Sequence, residues 1–297
     1  MLFFGHRFLG PRNGEAIPDP SPGKPPVRGE RKETVVSMKV WGIIPARYGS
    51  SRLPGKILSE IAGKPMIQWV YERARQSLCL NRLIVATDDD RIFACVNGFG
   101  GEALQTSPAH PSGTDRVAEA AQKLKVRDED LIVNIQGDQP LFEPAMIDEV
   151  VRPFREDPTL FMGALVYPIQ NAEELASPSV VKVVMDRKGW ALYFSRSPMP
   201  YVMAPDGRVR YFKHIGPYAY RKSFLIQFTQ MERGELEKAE SLEQLRALEN
   251  GYRIRVVETR YDSQEVDTPE DLEKVRRFMS GLPPHPDPIF ERGKGEG

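Results

Sequence analysis

The chain has 297 residues, and its 41 Lys and Arg residues balance its 41 Asp and Glu residues, so the formal net charge is zero. This balance argues against nucleic acid or an anionic membrane as a partner, because both attract proteins with an excess of basic residues. The two cysteines, Cys79 and Cys95, are too few for a disulfide framework or a four-ligand zinc site. No apolar run approaches the roughly 18 residues that a membrane-spanning helix requires. We therefore expect a cytoplasmic protein with free thiols.

The two ends of the chain have compositions that do not suit a folded domain. Residues 1–37 contain several prolines, which interrupt any helix or strand, with Gly, Arg and Glu between them. We predict a disordered Pro-rich extension over 1–37, one folded domain over 38–281 and a disordered tail over 282–297. A chain of this length can bury the core of a single large α/β domain, with two small domains as an alternative.

The first predicted element is a buried strand at 40–44, a short apolar run rich in β-branched residues. The chain then turns abruptly into small residues, which leave backbone N–H groups uncovered, and into three cations, Arg47, Arg52 and Lys56. A strand that opens into such a loop before a helix is typical of polyphosphate-binding sites. The Walker spacing and the Gly-x-Gly-x-x-Gly pattern are both absent. An ordinary basic surface loop is the alternative interpretation.

Further strands and helices alternate after this loop. Pro65 introduces a helix with an apolar face, and residues 83–87 form a second buried strand that ends in three aspartates. Asp90 is predicted to cap the next helix, whereas a role for Asp88 in capping or in metal binding stays open. A third strand is predicted at 102–105.

A buried strand at 131–135 leads into the second informative loop, Gln136-Gly137-Asp138. In an open α/β sheet, ligands bind at the carboxyl ends of the strands, which is where this aspartate stands. Mg²⁺ prefers one or two carboxylates together with phosphate oxygens, so Asp138 is a candidate metal ligand. A turn-capping aspartate is the alternative.

The middle of the chain changes character. Residues 165–168, 180–185 and 190–195 read as strands with turn residues between them, which predicts an antiparallel excursion from the parallel core. Arg196 and His214 both stand at the ends of strand-like segments in this region. A histidine packed in the core is the alternative reading of His214.

The last third of the chain predicts a helix at 240–249, a strand at 254–257 and a closing helix. Thr268 is expected to cap the closing helix, with Asp271 completing a capping box. Asp267 lies just before that cap. Its place beside a second ligand-bearing loop makes it the natural second carboxylate for a metal, although a helix-entry aspartate needs no ligand.

Together these elements predict an α/β fold. Strands alternate with helices in the first half, which favours a mainly parallel sheet with helices on both faces. A smaller antiparallel part follows.

Several blocks of the sequence resemble one family. The pattern Pro-Ala-Arg-x-x-Ser-x-Arg-Leu-Pro-Gly-Lys at 45–56 and the Gln-Gly-Asp loop resemble the sugar-activating cytidylyltransferases. The stretches Ala-Leu-Tyr-Phe-Ser-Arg at 191–196, His-x-Gly-x-Tyr-x-Tyr at 214–220 and Leu-Glu-Gln-Leu-Arg at 242–246 resemble the branch that activates 3-deoxy-manno-octulosonate (KDO). The family pattern commonly has Gln-Gly-Asp-Glu-Pro, and here Gln139 replaces that Glu.

The resemblance implies a nucleotide-diphospho-sugar transferase-like fold, with the smaller part serving sugar binding and dimerisation. It implies that CTP and KDO give CMP-KDO and pyrophosphate, with Mg²⁺ as cofactor and for lipopolysaccharide synthesis, in a homodimer. The residues expected to carry catalysis are Arg47, Arg52, Lys56, Asp138 and Asp267, of which Asp138 and Asp267 would hold the metal. The expected nucleotide contacts are Pro45, Ala46, Arg47, Ser51, Arg52, Lys56, Ser112, Gly113, Thr114 and Arg116. The expected sugar contacts are Gln136, Arg196, His214, Tyr218, Glu243 and Gln244.

Other functions remain open at this point. The acceptor could be sialic acid or 8-amino KDO, which differs from KDO by one group. A non-catalytic nucleotide-sensing protein of the same fold is a further alternative. Such a protein would be expected to lack a metal carboxylate or a phosphate cation, and the chain keeps both kinds of residue.

Overall fold

The computed structural model of the chain describes residues 37–49, 52–203 and 209–281. The tail predicted over 282–297, and all but the last residue of the extension predicted over 1–37, lie outside the described residues. The predicted nucleotide contact Ser51 also lies outside them.

The described residues form eleven strands. In chain order these are β1 (Val40–Ala46), β2 (Glu60–Ile61), β3 (Lys64–Pro65), β4 (Arg82–Thr87), β5 (Ala103–Gln105), β6 (Leu131–Asn134), β7 (Met162–Pro168), β8 (Lys182–Met185), β9 (Ala191–Ser195), β10 (Phe212–Arg221) and β11 (Ile254–Glu258). Seven of them lie side by side in the order β11-β7-β10-β6-β1-β4-β5, and only β10 runs antiparallel to its neighbours. Strands β8 and β9 extend from β10 as an antiparallel branch. The predicted mainly parallel sheet with a smaller antiparallel part is confirmed.

Helices cover both faces of this sheet, as predicted. Their bounds are α1 (Met66–Ala74), α2 (Asp90–Gly98), α3 (Gly113–Lys123), α4 (Ala145–Glu156), α5 (Ala172–Ala176), α6 (Lys222–Gln230), α7 (Glu235–Glu240), α8 (Gln244–Glu249) and α9 (Pro269–Met279). Successive side chains of a strand point to opposite faces, so Ile44 packs in the core formed with α1, α2 and α4, and Ile43 in the core formed with α3, α6 and α8. A strand buried on both sides must be apolar throughout, which explains the continuous apolar run of β1.

Two local predictions were wrong. Asp89, and not Asp90, caps α2, because its side chain accepts hydrogen bonds from the backbone N–H groups of Arg91 and Ile92. The single helix predicted over 240–249 is two helices, α7 and α8, separated at Ser241, whose φ of 52° is left-handed. The apolar spacing within 240–249 still holds, because Leu242, Leu245 and Leu248, all after the break, pack against the core formed with α3 and α6.

The predicted start of the closing helix is confirmed. Thr268 accepts a hydrogen bond from the Asp271 backbone, the Asp271 side chain accepts one from the Thr268 backbone, and Pro269 occupies the first helical turn. Both cysteines are free thiols. Among the described residues, no helix is both long enough and apolar enough to cross a membrane.

A tight turn after β1 delivers the cationic loop to the sheet edge. The Gly55 N–H donates to the Tyr48 carbonyl at 2.9 Å, which closes the loop, and a short 3₁₀-helix (Lys56–Leu58) follows. Gly55 has a φ of 71°, and a Cβ added there would lie 3.0 Å from the Tyr48 ring. Only glycine adopts this conformation without steric cost. The turn fixes the direction in which the next residue, Lys56, enters the structure.

Replacement of this glycine is the test of the turn. We expect Gly55→Ala to lower the free energy of unfolding in urea by about 1–2 kcal/mol, because a Cβ is disfavoured at a left-handed φ. Gly49→Ala is the matched control, since a Cβ there meets no atom of the described residues within 4 Å. Equal effects of the two substitutions would contradict this account of the loop.

Candidate active site

The predicted site residues gather at the edge where the parallel strands end. Arg47 follows β1, Asp88 follows β4, and Asp138 lies in the loop after β6. The antiparallel strand β10 brings two further residues to this edge, because His214 lies opposite Val166 of β7, and Tyr218 opposite Asn134 of β6. The carboxyl ends of the strands therefore form one cleft, as expected for an open α/β sheet.

Lys56 joins three separate segments of the chain at the centre of this cleft. Its Nζ atom donates to Asp138 Oδ2 at 2.7 Å, to Asp267 Oδ1 at 2.8 Å and to the Val266 carbonyl at 3.0 Å. The lysine is only 9% exposed. A backbone hydrogen bond of 2.9 Å from Val266 N to the Asp138 carbonyl ties the same two loops together. The two carboxylates predicted to share a metal therefore do converge, with an ammonium group between them.

The opposite charges in this cluster shift the pKa values of Lys56 and Asp267 so that both side chains stay ionised. Burial alone would lower the pKa of Lys56, but the charges and hydrogen bonds of Asp138 and Asp267 outweigh it and raise that pKa. Burial alone would raise the pKa of Asp267, but the contacts with Lys56 and Arg52 lower it. The Arg52 guanidinium lies 2.8 Å from Asp267 Oδ2 and is 60% exposed, so it is within reach of a ligand from solvent.

A third carboxylate, Glu265, stands beside the cluster, and the sequence analysis did not identify it. Gln139, which is buried, donates from Nε2 to Glu265 Oε1 at 3.2 Å. Loss of hydration, with the negative charges of Asp138 and Asp267 added to it, raises the pKa of Glu265 to about 7. The residue as a whole keeps an exposed surface, so solvent screens part of this repulsion. The one signal in the sequence was the departure from the family pattern at Gln139.

The chemistry of these side chains suits a divalent cation. Asp138 and Asp267 offer two oxygens to one position, and a positive group already occupies it. Among the described residues, no group of three or more His, Cys, Asp or Glu side chains could hold a metal ion by itself. Mg²⁺ does not need one, because it is commonly bound by one or two carboxylates with phosphate oxygens and waters completing the shell.

Several of the predicted nucleotide contacts lie at the start of α3. Ser112 caps this helix by accepting a hydrogen bond from the Asp115 backbone N–H. Gly113 lies against Pro45, since a Cβ there would be 3.3 Å from the proline ring. Two groups of predicted nucleotide contacts are therefore adjacent: those in β1, including Ala46 at its end, and those in α3. Arg47 is exposed and forms no hydrogen bond or ion pair with the part of the chain that the structure describes.

Arg116, another predicted nucleotide contact, is 4% exposed and is occupied by protein groups. Its guanidinium lies 2.9 Å from Asp88 Oδ1 and donates to Thr106 Oγ1 at 2.6 Å and to the Ser107 carbonyl at 3.4 Å. These contacts join α3 to the ends of β4 and β5. They also account for Asp88, whose role the sequence left open: it is the partner of a buried arginine.

Thr114 links the predicted nucleotide contacts to the predicted sugar contacts. Its Oγ1 donates to Glu243 Oε2 at 2.7 Å and accepts from Asn134 Nδ2 at 3.4 Å. Gln136 Nε2 donates to Asn134 Oδ1 at 3.5 Å and extends this chain of polar groups. Gln244, the next residue after Glu243, is buried. Thr114, predicted as a nucleotide contact, thus holds a predicted sugar contact.

His214 and Tyr218 form a stacked pair, with ring centroids 4.4 Å apart. The His214 Nε2 atom is buried and has no hydrogen-bond partner in the described part of the chain. Burial lowers the pKa of His214 to about 4, so the imidazole is neutral at physiological pH. A buried, unsatisfied nitrogen is unusual in a folded protein and is available to a bound ligand.

Arg196 is placed differently from the other predicted sugar contacts. Its guanidinium donates to the carbonyls of Glu240 at 2.7 Å and Pro178 at 2.8 Å, and to that of Ser241 at 3.5 Å. Its backbone N–H donates to the Glu240 carboxylate at 2.8 Å. In this structure Arg196 holds the end of α7. A role with the sugar carboxylate stays a prediction.

Comparisons with known proteins agree with this arrangement. A family model described as cytidylyltransferase matches residues 41–254. The 3-deoxy-manno-octulosonate cytidylyltransferase of Syntrophus aciditrophicus is 56% identical over 243 residues, which cover 82% of this chain and 98% of that protein. The protein of the same name from Geotalea uraniireducens is 54% identical over 248 residues, covering 80% and 98%. The structure of a CMP:2-keto-3-deoxy-manno-octonic acid synthetase complexed with CTP superimposes with a TM-score of 0.77 at 47% identity, covering 82% of this chain and 99% of that one.

The fold, the cationic loop and the extent of these matches define a cytidylyltransferase. Within that class, the chain belongs to the family of the 3-deoxy-manno-octulosonate cytidylyltransferases.

The central lysine makes a testable contribution to stability. We expect Lys56→Met to lower the free energy of unfolding by about 2–3 kcal/mol, somewhat less than for a fully buried pair, because two partly exposed carboxylates lose their counter-charge. Millimolar Mg²⁺ should recover part of this loss in the variant. Lys64→Met, which breaks an exposed ion pair with Glu72, is the control and should cost less than about 1 kcal/mol. Urea unfolding with and without Mg²⁺ measures both, and similar losses in the two variants would contradict the account.

The same contribution should depend on pH in one direction. Because contacts with Lys56 lower the pKa of Asp267, the stability they supply is complete above the ordinary Asp pKa. It is lost as the pH falls through the lowered pKa of the folded state. The difference in unfolding free energy between wild type and Lys56→Met should therefore shrink in acid, whereas a difference that grows there would be inconsistent with this pairing.

Proposed function

We propose that this protein joins CTP to KDO, releasing pyrophosphate and forming CMP-KDO for lipopolysaccharide synthesis. The observation that carries the proposal is the Lys56 cluster, in which a cationic loop, Asp138 and Asp267 meet at the carboxyl edge of the sheet. Family membership supports CTP and KDO as the substrates, since relatives at 50–56% identity bear that activity in their names.

The reaction is an in-line displacement at phosphorus. The anomeric hydroxyl of the acid sugar attacks the α-phosphorus of CTP, and pyrophosphate leaves. Such transfers depend mainly on positioning and on neutralising charge. Arg47 and Arg52 are exposed beside the cleft and would take the triphosphate oxygens. Lys56 is buried below them, so it would meet the phosphates only if it left its carboxylate partners.

Asp138 and Asp267 are the residues that would hold Mg²⁺. When bound there, Mg²⁺ would neutralise charge on the α-phosphate and lower the pKa of the attacking hydroxyl. The Lys56 ammonium fits this assignment, because it balances the two carboxylates in the absence of a divalent cation. Arg52, which contacts Asp267 from the solvent side, would steer the triphosphate towards the same position.

The acceptor would lie between β10 and α8. Neutral His214, with its unsatisfied nitrogen, offers a hydrogen bond to a sugar hydroxyl, and Glu243 and Gln136 offer more from the facing side. Thr114, at the start of the helix proposed to contact the nucleotide, donates a hydrogen bond to Glu243. Thr114 would therefore help to position the two substrates relative to each other. Arg196 could take the sugar carboxylate by exchanging carbonyl partners for a charged one, which gives stronger hydrogen bonds.

A homodimer in the cytoplasm is the assembly and location we propose. The antiparallel part leaves Leu192, Tyr201 and Met203 exposed, and a second copy of the chain would cover such an apolar surface.

Acceptor identity is tested by pyrophosphate release from CTP and Mg²⁺ with KDO, 8-amino KDO or sialic acid. Release with KDO, at a kcat/KM well above that with the other acids, is the expected result. Release with only another acid would keep the triphosphate loop and the metal site but reject the sugar assignments of Arg196 and His214. No release with any acceptor, from folded protein that still binds CTP, would favour a nucleotide-sensing function instead.

Removal of one metal carboxylate tests the catalytic assignment. Asp267→Asn should lower kcat by about 100-fold or more, far more than it weakens CTP binding, and should leave the binding of CTP in EDTA little changed, because the carboxylate acts mainly on charge that develops during the transfer. Turnover with KDO and calorimetric titration with CTP measure the two effects. Glu270→Gln, an exposed acid in the first turn of α9, is the control. Near-normal turnover in Asp267→Asn would remove Asp267 from the metal site.

A further inference from the structure

The contact between Gln139 and Glu265 is not used by the mechanism above. Gln139 is 3% exposed, and its amide is fixed at both ends. Ser263 Oγ donates to Gln139 Oε1 at 3.2 Å, so the Nε2 group must face the other way, where it donates to Glu265 Oε1 at 3.2 Å. The carboxylate of Glu265 is thus held in one orientation by a buried side chain from another loop.

This contact adjoins the proposed cation site. Gln139 directly follows Asp138, and Glu265 lies two residues before Asp267. The backbone hydrogen bond from Val266 N to the Asp138 carbonyl holds the two loops in register. The Gln139–Glu265 contact therefore belongs to the same junction of two loops as Asp138 and Asp267.

The charge around Glu265 is unbalanced. No basic side chain of the described residues forms an ion pair with Glu265, and the attraction of the nearby Lys56 ammonium is weaker than the repulsion from Asp138 and Asp267. A carboxylate oriented by a buried amide, among like charges and with exposed surface, suits a cation that arrives with the substrate. Mg²⁺ keeps several of its waters when bound by one or two carboxylates, and those waters need acceptors.

We propose that Glu265 is a positioning residue of the divalent-cation site, accepting a hydrogen bond from a water of the hydrated ion that Asp138 and Asp267 hold. Gln139 orients it. The inference rests on the proposed function, since it requires the cation to bind with CTP. Because an amide and a carboxylate face each other here, exchanging the two side chains would keep one carboxylate at this junction.

The test compares binding of preformed Mn²⁺–CTP with binding of CTP in EDTA, by calorimetry. The ratio of the two dissociation constants measures what the cation contributes, independently of turnover. Glu265→Gln should reduce this ratio about tenfold, the low end for loss of a group that supports a metal ligand, with CTP binding in EDTA unchanged. Glu270→Gln is the matched control and should keep the wild-type ratio. The exchanged variant Gln139→Glu/Glu265→Gln should recover most of the ratio.

The outcomes separate this inference from the proposed function. A wild-type protein that binds Mn²⁺–CTP no more tightly than CTP would reject the cation site itself. A clear wild-type preference that Glu265→Gln retains would reject only the role of Glu265. If the exchanged variant has an unchanged unfolding temperature but does not recover the ratio of dissociation constants, the idea that a carboxylate at position 139 can replace Glu265 is rejected.

Discussion

The position of one ammonium group between two carboxylates is the constraint on which the rest of the site depends. Lys56 meets Asp138 and Asp267 from segments 82 and 211 residues away in the chain. The Gly55 turn aims the lysine inwards, and the capped start of α9 presents Asp267. Removal of any of these supports would leave a charge in the cleft without its partner, which costs more than the pair contributes when it is intact. The fold therefore places the cation position before a ligand arrives.

A side-chain hydrogen bond joins the two halves of the cleft above the strands. Thr114, at the start of α3, donates to Glu243, which leads into α8. Through this hydrogen bond, the helix proposed to contact the nucleotide also fixes a side chain proposed for the sugar. A sugar site organised in this way would be complete only when α3 is in its place. Such a link suits an enzyme that must align two substrates for an in-line reaction.

Much of this architecture could be predicted from the sequence, because the central strands are continuously apolar and their ends carry polar residues. Asp138 was singled out for that reason and Asp267 from its place just before the cap of the closing helix, and the structure brings both to Lys56. What escaped prediction depends on distant contacts or on the backbone. Glu265 gains its meaning only from Gln139, 126 residues away, and the break at Ser241 depends on a left-handed conformation that the leucine spacing does not reveal. The carbonyl contacts of Arg196 were hidden for the same reason.

The most direct test of the central claim is a crystal structure with Mn²⁺ and CTP, using anomalous scattering to locate the metal. The account predicts an Mn²⁺ peak within about 2.5 Å of carboxylate oxygens of both Asp138 and Asp267. It also predicts that Lys56 Nζ has left its position between them for the triphosphate. A peak elsewhere in the cleft, with Lys56 still bridging the two carboxylates, would contradict it.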